Sequence, residues 1–138
     1  DLTTIYTSDE EWLKDFDKVS NEIGVISKFQ GHLLDSAYSL YEYLKTDEDL
    51  SRKLHKLYYY AHLKLDQDTG NTKYQELEGK ISSLLTKVSE LQAYVVPELM
   101  KGDYDKFLET KEDYDVYKDL IFANLIESSY VWRIKPSL

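Results

Sequence analysis

The stretch Tyr74-Gln-Glu-Leu77-Glu-Gly-Lys-Ile81-Ser-Ser-Leu84-Leu-Thr-Lys-Val88-Ser-Glu-Leu91-Gln-Ala-Tyr-Val95 decides the fold. Its apolar residues at 74, 77, 81, 84, 88, 91 and 95 recur at alternating steps of three and four. That repeat puts one apolar stripe on an α-helix, whereas a strand would alternate every second residue. Held for three heptads, it is also the spacing that packs helices nearly antiparallel.

The same periodicity extends in both directions. Upstream, Leu50, Leu54, Leu57, Ala61 and Leu65 form one stripe, and Asp66-Gln67-Asp68-Thr69-Gly70-Asn71 ends it with turn-forming residues. Thr46-Asp47-Glu48-Asp49 reads as the start of that helix, because acids suit the positive end of the helix dipole. A shorter helix is predicted before it, from Ser36 to Lys45, with Leu40, Tyr43 and Leu44 turned inward. The first helix carries Trp12, Phe16, Val19, Ile23 and Ile26. Ser8-Asp9-Glu10-Glu11 opens it in the form of a capping box, and Gly31, after Phe29, stops it.

Downstream, Pro97 is expected to kink or end the heptad helix. Gly102-Asp103 and the residues to Glu109 predict a short helix, and a long one follows from Glu112 to about Ile134. No segment alternates as a strand would. The expected fold is an all-α bundle of about five to six helices built from antiparallel hairpins, forming a single helical domain over residues 1–138.

Composition narrows the function. The chain has 138 residues, 42% of them hydrophobic, with two prolines and five glycines, which argues against disorder. With 26 acidic against 17 basic side chains the formal net charge is −9. Such a balance speaks against nucleic-acid partners, whose phosphates must be neutralised by Lys and Arg, and against anionic membrane surfaces. There is no cysteine, so thiolate chemistry is excluded. No stretch approaches the roughly 20 apolar residues that span a bilayer, and none of these residues reads as a basic-then-apolar secretory leader, so a soluble domain is expected. The chain opens on Asp1 and closes on Pro136-Ser137-Leu138, and a piece of a longer protein is expected.

Catalytic chemistry is not legible in these residues. A zinc site needs three ligands converging within about 2 Å of the metal. The histidines are His32, His55 and His62. The last two share a helix face but stand seven residues apart, about 10 Å along the axis. No His-Glu-x-x-His pair is present. Asp66-x-Asp68-x-Gly70-Asn71 resembles the start of a calcium loop, but glycine falls one place early and Leu77 stands where a bidentate Glu is required. No phosphate loop or serine elbow occurs.

The tyrosines say more. Of 13, Tyr58-Tyr59-Tyr60 occupy consecutive helical positions at about 100° from one another, so they cannot all enter one core. A broad buried face accounts for some of them. A surface turned to a cleft or a second domain accounts for the rest, where tyrosine's apolar body and polar tip suit a wet contact.

The chain closely resembles the N-terminal region of oligoendopeptidase F, of the thimet-oligopeptidase-like zinc metallopeptidases. The resemblance runs through Asp1-Leu-Thr-Thr-Ile-Tyr6, Phe29-Gln-Gly-His-Leu33, the block from Leu50 to Leu77, Val96-Pro-Glu-Leu99 and Arg133-x-Lys135-Pro136. Ser137 departs from the family's usual histidine, and Gly70 from a usually stiffer turn. The resemblance implies a cytoplasmic zinc metalloendopeptidase that hydrolyses short peptides. Its His-Glu-x-x-His helix and later glutamate would lie beyond residue 138, so zinc is expected in the intact enzyme and no cofactor here. It also implies that this helical domain forms wall and lid over a substrate channel. Expected partners are short peptide substrates and the missing C-terminal catalytic domain, with self-association of the isolated chain a further outcome. The face expected to meet substrate or another domain comprises Tyr58, Tyr59, Tyr60, His62, Asp66, Asp68 and Thr69. The competing reading is a stand-alone helical interaction module, distinguished by whether the gene continues into a His-Glu-x-x-His segment.

Overall fold

The computed structural model describes residues 4–110 and Asp115. Among them every regular element is helical and no strand occurs. The order is α1 Asp9–Glu22, a 3-10 stretch Ile23–Phe29, α2 Ala37–Gln67, α3 Thr72–Leu91, α4 Val95–Lys101 and α5 Tyr104–Leu108. The long helix expected from Glu112 lies outside the described residues. No described helix is long and apolar enough to cross a membrane.

These elements divide into two compact units, which within the described residues are 4–24 with 49–90, and 25–48 with 91–110. In the first unit α1 opens as its sequence predicts. The Ser8 hydroxyl accepts from Glu11 N at 3.1 Å, and three acids occupy the first turn. The Glu11 carboxylate reaches past Ser8 to the Thr7 amide, so the reciprocal bond of the capping box is displaced by one residue. Trp12 is fully buried and donates from its indole to the Leu57 carbonyl at 2.9 Å. Leu77, Ile81, Leu84 and Val88 of the heptad stretch are all buried. The turn 68–71 joins α2 to α3, and Asn71 Oδ1 caps α3 by accepting from Lys73 N and Tyr74 N.

Three predicted boundaries differ. The first α-helix stops at Glu22 and tightens into a 3-10 stretch, where Ile23, Ile26 and Phe29 fall at steps of three, the repeat of that helix. Gly31, at φ 84°, then ends the segment in a conformation glycine adopts without penalty.

The second difference is larger: Ser36–Lys45 and the Leu50 stripe are one continuous helix, not two. Thr46 and the acids at 47–49 resemble a start signal, but neither glycine nor proline interrupts the backbone there. Asp47 takes the place on the stripe where an apolar residue would recur, and its carboxylate accepts from Gln92 Nε2. A polar position with a partner leaves a helix intact.

In the second unit Leu33, Leu34, Ala37, Leu40, Tyr43, Leu44, Val95, Leu99 and Phe107 form the buried cluster. The third difference is that the heptad helix stops at Leu91, so Val95, expected on its stripe, opens α4 instead and Pro97 is not what ends the helix. Pro97 itself sits in the first turn of α4, where a missing N–H leaves no helical bond unmade.

Candidate functional site

Three tyrosines on consecutive positions of α2 separate as their 100° steps require. Tyr60 points inward, 2% exposed, and donates to Asp9 Oδ1 at 2.7 Å. Tyr58 and Tyr59 stay 37% and 49% exposed. Each packs against a histidine one turn away: Tyr58 meets His62 edge-on with centroids 5.2 Å apart, and Tyr59 meets His55 at a tilt, 5.0 Å away. These four side chains line a groove of about 290 Å³.

His62 closes one side of that groove. Its Nε2 lies 3.5 Å from Asp66 Oδ2 and its Nδ1 lies 3.6 Å from Glu78 Oε1 on α3. The Nδ1 atom and Glu78 Oε2 are both buried without a hydrogen-bond partner.

The residues expected to form one face are thus partly gathered and partly dispersed. Tyr58, Tyr59 and His62 share the groove, with Asp66 at its margin. Tyr60 belongs to the core of its unit. Asp68 and Thr69 belong to the turn: Asp68 accepts from Asn71 Nδ2 at 3.3 Å, and the Thr69 carbonyl accepts from Gln75 Nε2 at 2.9 Å. His55 and Glu78 were missed. His55 was legible, since it stands four residues before Tyr59 on the same face. Glu78 was not, because its approach depends on how α3 packs against α2.

Below the groove, charge is handled by hydroxyls. Burial works to raise the Asp9 carboxyl, but the Tyr60 hydroxyl and the Lys73 ammonium, 3.2 Å away, outweigh it and hold Asp9 below its usual 3.8. The same burial and hydrogen bond push the Tyr60 phenol well above its ordinary value. Lys64 lies 5.5 Å over the rings of both Tyr60 and Tyr74. Among the described residues no group of three or more His, Asp and Glu is placed to hold a metal ion. The described residues therefore do not fit a zinc centre.

What the groove can offer is an aromatic, partly wet surface with an imidazole and two carboxylates at one edge. That chemistry suits contact with a peptide or a protein surface rather than bond cleavage.

Comparison with known proteins finds relatives among oligopeptidases. The chain is 42% identical over 130 residues to the group B oligopeptidase PepB of Streptococcus agalactiae, a match covering 90% of this chain and 22% of that protein. It is 42% identical over 123 residues to the oligopeptidase PepF of Bacillus subtilis, covering 87% and 18% respectively. It is 38% identical over 131 residues to the chromosomal oligoendopeptidase F of Lactococcus lactis subsp. cremoris, covering 89% and 22%. The chain spans about a fifth of the length of the curated relatives it matches. No family model matches the chain, and no solved structure matches it.

Proposed function

We propose, on the premise that this chain belongs to the oligoendopeptidase F family, that it is the N-terminal helical domain of a cytoplasmic zinc metalloendopeptidase acting on short peptides. The observation that carries this reading is identity of 38–42% over about nine-tenths of the chain to peptidases roughly five times as long. In the intact enzyme zinc would polarise the scissile carbonyl and supply an activated water. No step of that chemistry falls to the residues described here.

Their part is to bind and exclude. The domain is read as wall and lid of the substrate channel, and the groove of His55, Tyr58, Tyr59 and His62 as the surface that meets peptide or the catalytic domain. Two exposed tyrosines side by side support this, since their rings give contact area and their hydroxyls tolerate water. The contacts of the first unit support the hairpin architecture: Asp9 meets Tyr60 while Glu22 meets Lys53, so α1 and α2 run in opposite senses.

The test uses the purified 138-residue chain and a bradykinin-like peptide, with and without a chelator. No cleavage is expected. Chelator-sensitive cleavage would place the catalytic centre within the chain and overturn the reading. So would an open reading frame that ends near Leu138 with no His-Glu-x-x-His segment.

A further inference from the structure

A second concavity lies on the first unit, away from the tyrosines, where α1 and α3 flank a groove of about 380 Å³. Its floor is apolar: Ile23 and Leu84 are buried, and Phe16 is held flat against Trp12, the rings 11° from parallel. Its rim carries Lys87 and Lys80, the latter with its ammonium 5.6 Å from the centroid of the Phe16 ring, and no carboxylate lines it. The ion pairs of the described residues engage Arg52, Lys53, Lys73 and Lys106, but neither of these two lysines. In a chain of net charge −9, a concavity whose charged lining is wholly cationic is a local reversal of sign.

We propose that this groove docks an acidic amphipathic helix. Lys80 and Lys87 stand two turns apart on α3, about 10 Å, which matches carboxylates two turns apart on a facing helix. Between them the floor of Phe16, Ile23 and Leu84 takes the apolar side chain such a helix presents on the same face. Opposite Gly79 nothing lies within 4 Å of where a Cβ would be, so the wall leaves room for the incoming helix. A free inorganic anion would use the two ammonium groups and leave the apolar floor wet. A helix uses both.

The test is fluorescence anisotropy with the whole chain and a labelled helical peptide of about four turns, bearing Glu two turns apart with Leu between them. A second peptide has Gln in place of both Glu residues. Saturable binding is expected, weakened roughly tenfold or more by Lys80→Glu with Lys87→Glu, and weakened similarly in the Gln peptide. The peptide comparison leaves the chain untouched, so it stands whatever the double substitution does to folding. Binding indifferent to both changes would overturn the proposal, as would no saturable binding. Inorganic phosphate displacing the acidic peptide while the Gln peptide binds equally well would reassign the site to anions. Concentration-dependent dimerisation abolished by the lysine substitutions would give the groove to a second copy of the chain.

Discussion

The two units bury their apolar residues with different kinds of polar support. In the unit of 4–24 and 49–90, long helices meet along their faces, and the ties are side chain to side chain or ring to carbonyl: Tyr60 to Asp9, Lys53 to Glu22, Trp12 to Leu57. In the unit of 25–48 and 91–110, short helices and turns bend the backbone repeatedly, and side chains close the turns. Glu98 accepts from the amides of Gly31 and Leu33, Thr110 accepts from the Ala37 amide, and the Tyr94 hydroxyl donates to the Ile26 carbonyl at 2.6 Å. Burial and nearby carboxylates push the Tyr94 phenol up to about 12, so it remains a protonated donor at neutral pH. Regular helices satisfy their own backbone, so their sequence is free to optimise faces. Irregular backbone must be satisfied by particular residues, and single substitutions there remove hydrogen bonds rather than volume.

The sharpest test of the face-packed unit is Trp12→Ala. It removes a fully buried indole and leaves the Leu57 carbonyl without its donor. A loss of about 3–5 kcal/mol is expected in urea denaturation, with amide protection lost along 9–22. A loss below about 1 kcal/mol would mean that this unit does not depend on its helix faces.

For the turn-closing unit the matching substitution is Glu98→Ala. It deprives two amides of one carboxylate and is expected to cost about 1.5–3 kcal/mol. Glu98→Gln keeps one acceptor oxygen and should recover roughly half of that. Hydrogen exchange should accelerate first at Gly31 and Leu33. If Gln and Ala cost the same, the carboxylate's bonds to both amides are not what holds the turn.

This contrast explains how much was legible in the sequence. Leu77, Ile81, Leu84 and Val88 announced their buried stripe because a helix face repeats, and Ser8 announced its cap because the cap is local. The continuity of α2 through Asp47 was not legible. It depends on Gln92, 45 residues away, providing a donor to a half-buried acid. Glu98 was read only as part of a family-like string, since nothing in Val96-Pro97-Glu98-Leu99 says that its carboxylate turns to two amides 65 and 67 positions back. For the groove, the 100° steps told that Tyr58, Tyr59 and Tyr60 must part, but not which would go inward. That was settled by Asp9 meeting the Tyr60 hydroxyl from α1.

Two aspartates carry the comparison to smaller energies, with opposite signs. Asp9 has its carboxyl held below 3.8, so its contribution is present above that value and lost as pH falls through the depressed one. Asp9→Asn should therefore destabilise the chain by about 1 kcal/mol at pH 7. The gap to the unsubstituted chain should narrow as pH drops below 3.8. A gap constant with pH would assign the effect to packing rather than to the Tyr60 and Lys73 contacts.

Asp47 has the reverse problem. Burial raises its carboxyl above 3.8, and the one hydrogen bond from Gln92 only partly offsets this. A raised acid value means that the folded state prefers the protonated form. The ionised group therefore costs stability at neutral pH, and that cost shrinks as pH falls through the raised value and is gone below 3.8. Asp47→Asn keeps an acceptor for Gln92 Nε2 and removes the charge. It should stabilise the chain at pH 7 by a fraction of about 1 kcal/mol, with the advantage gone in acid. Urea midpoints at the two pH values decide it. A destabilised Asn variant at pH 7 would show that the charge itself, not merely an acceptor, is what lets α2 run unbroken past residues 46–49.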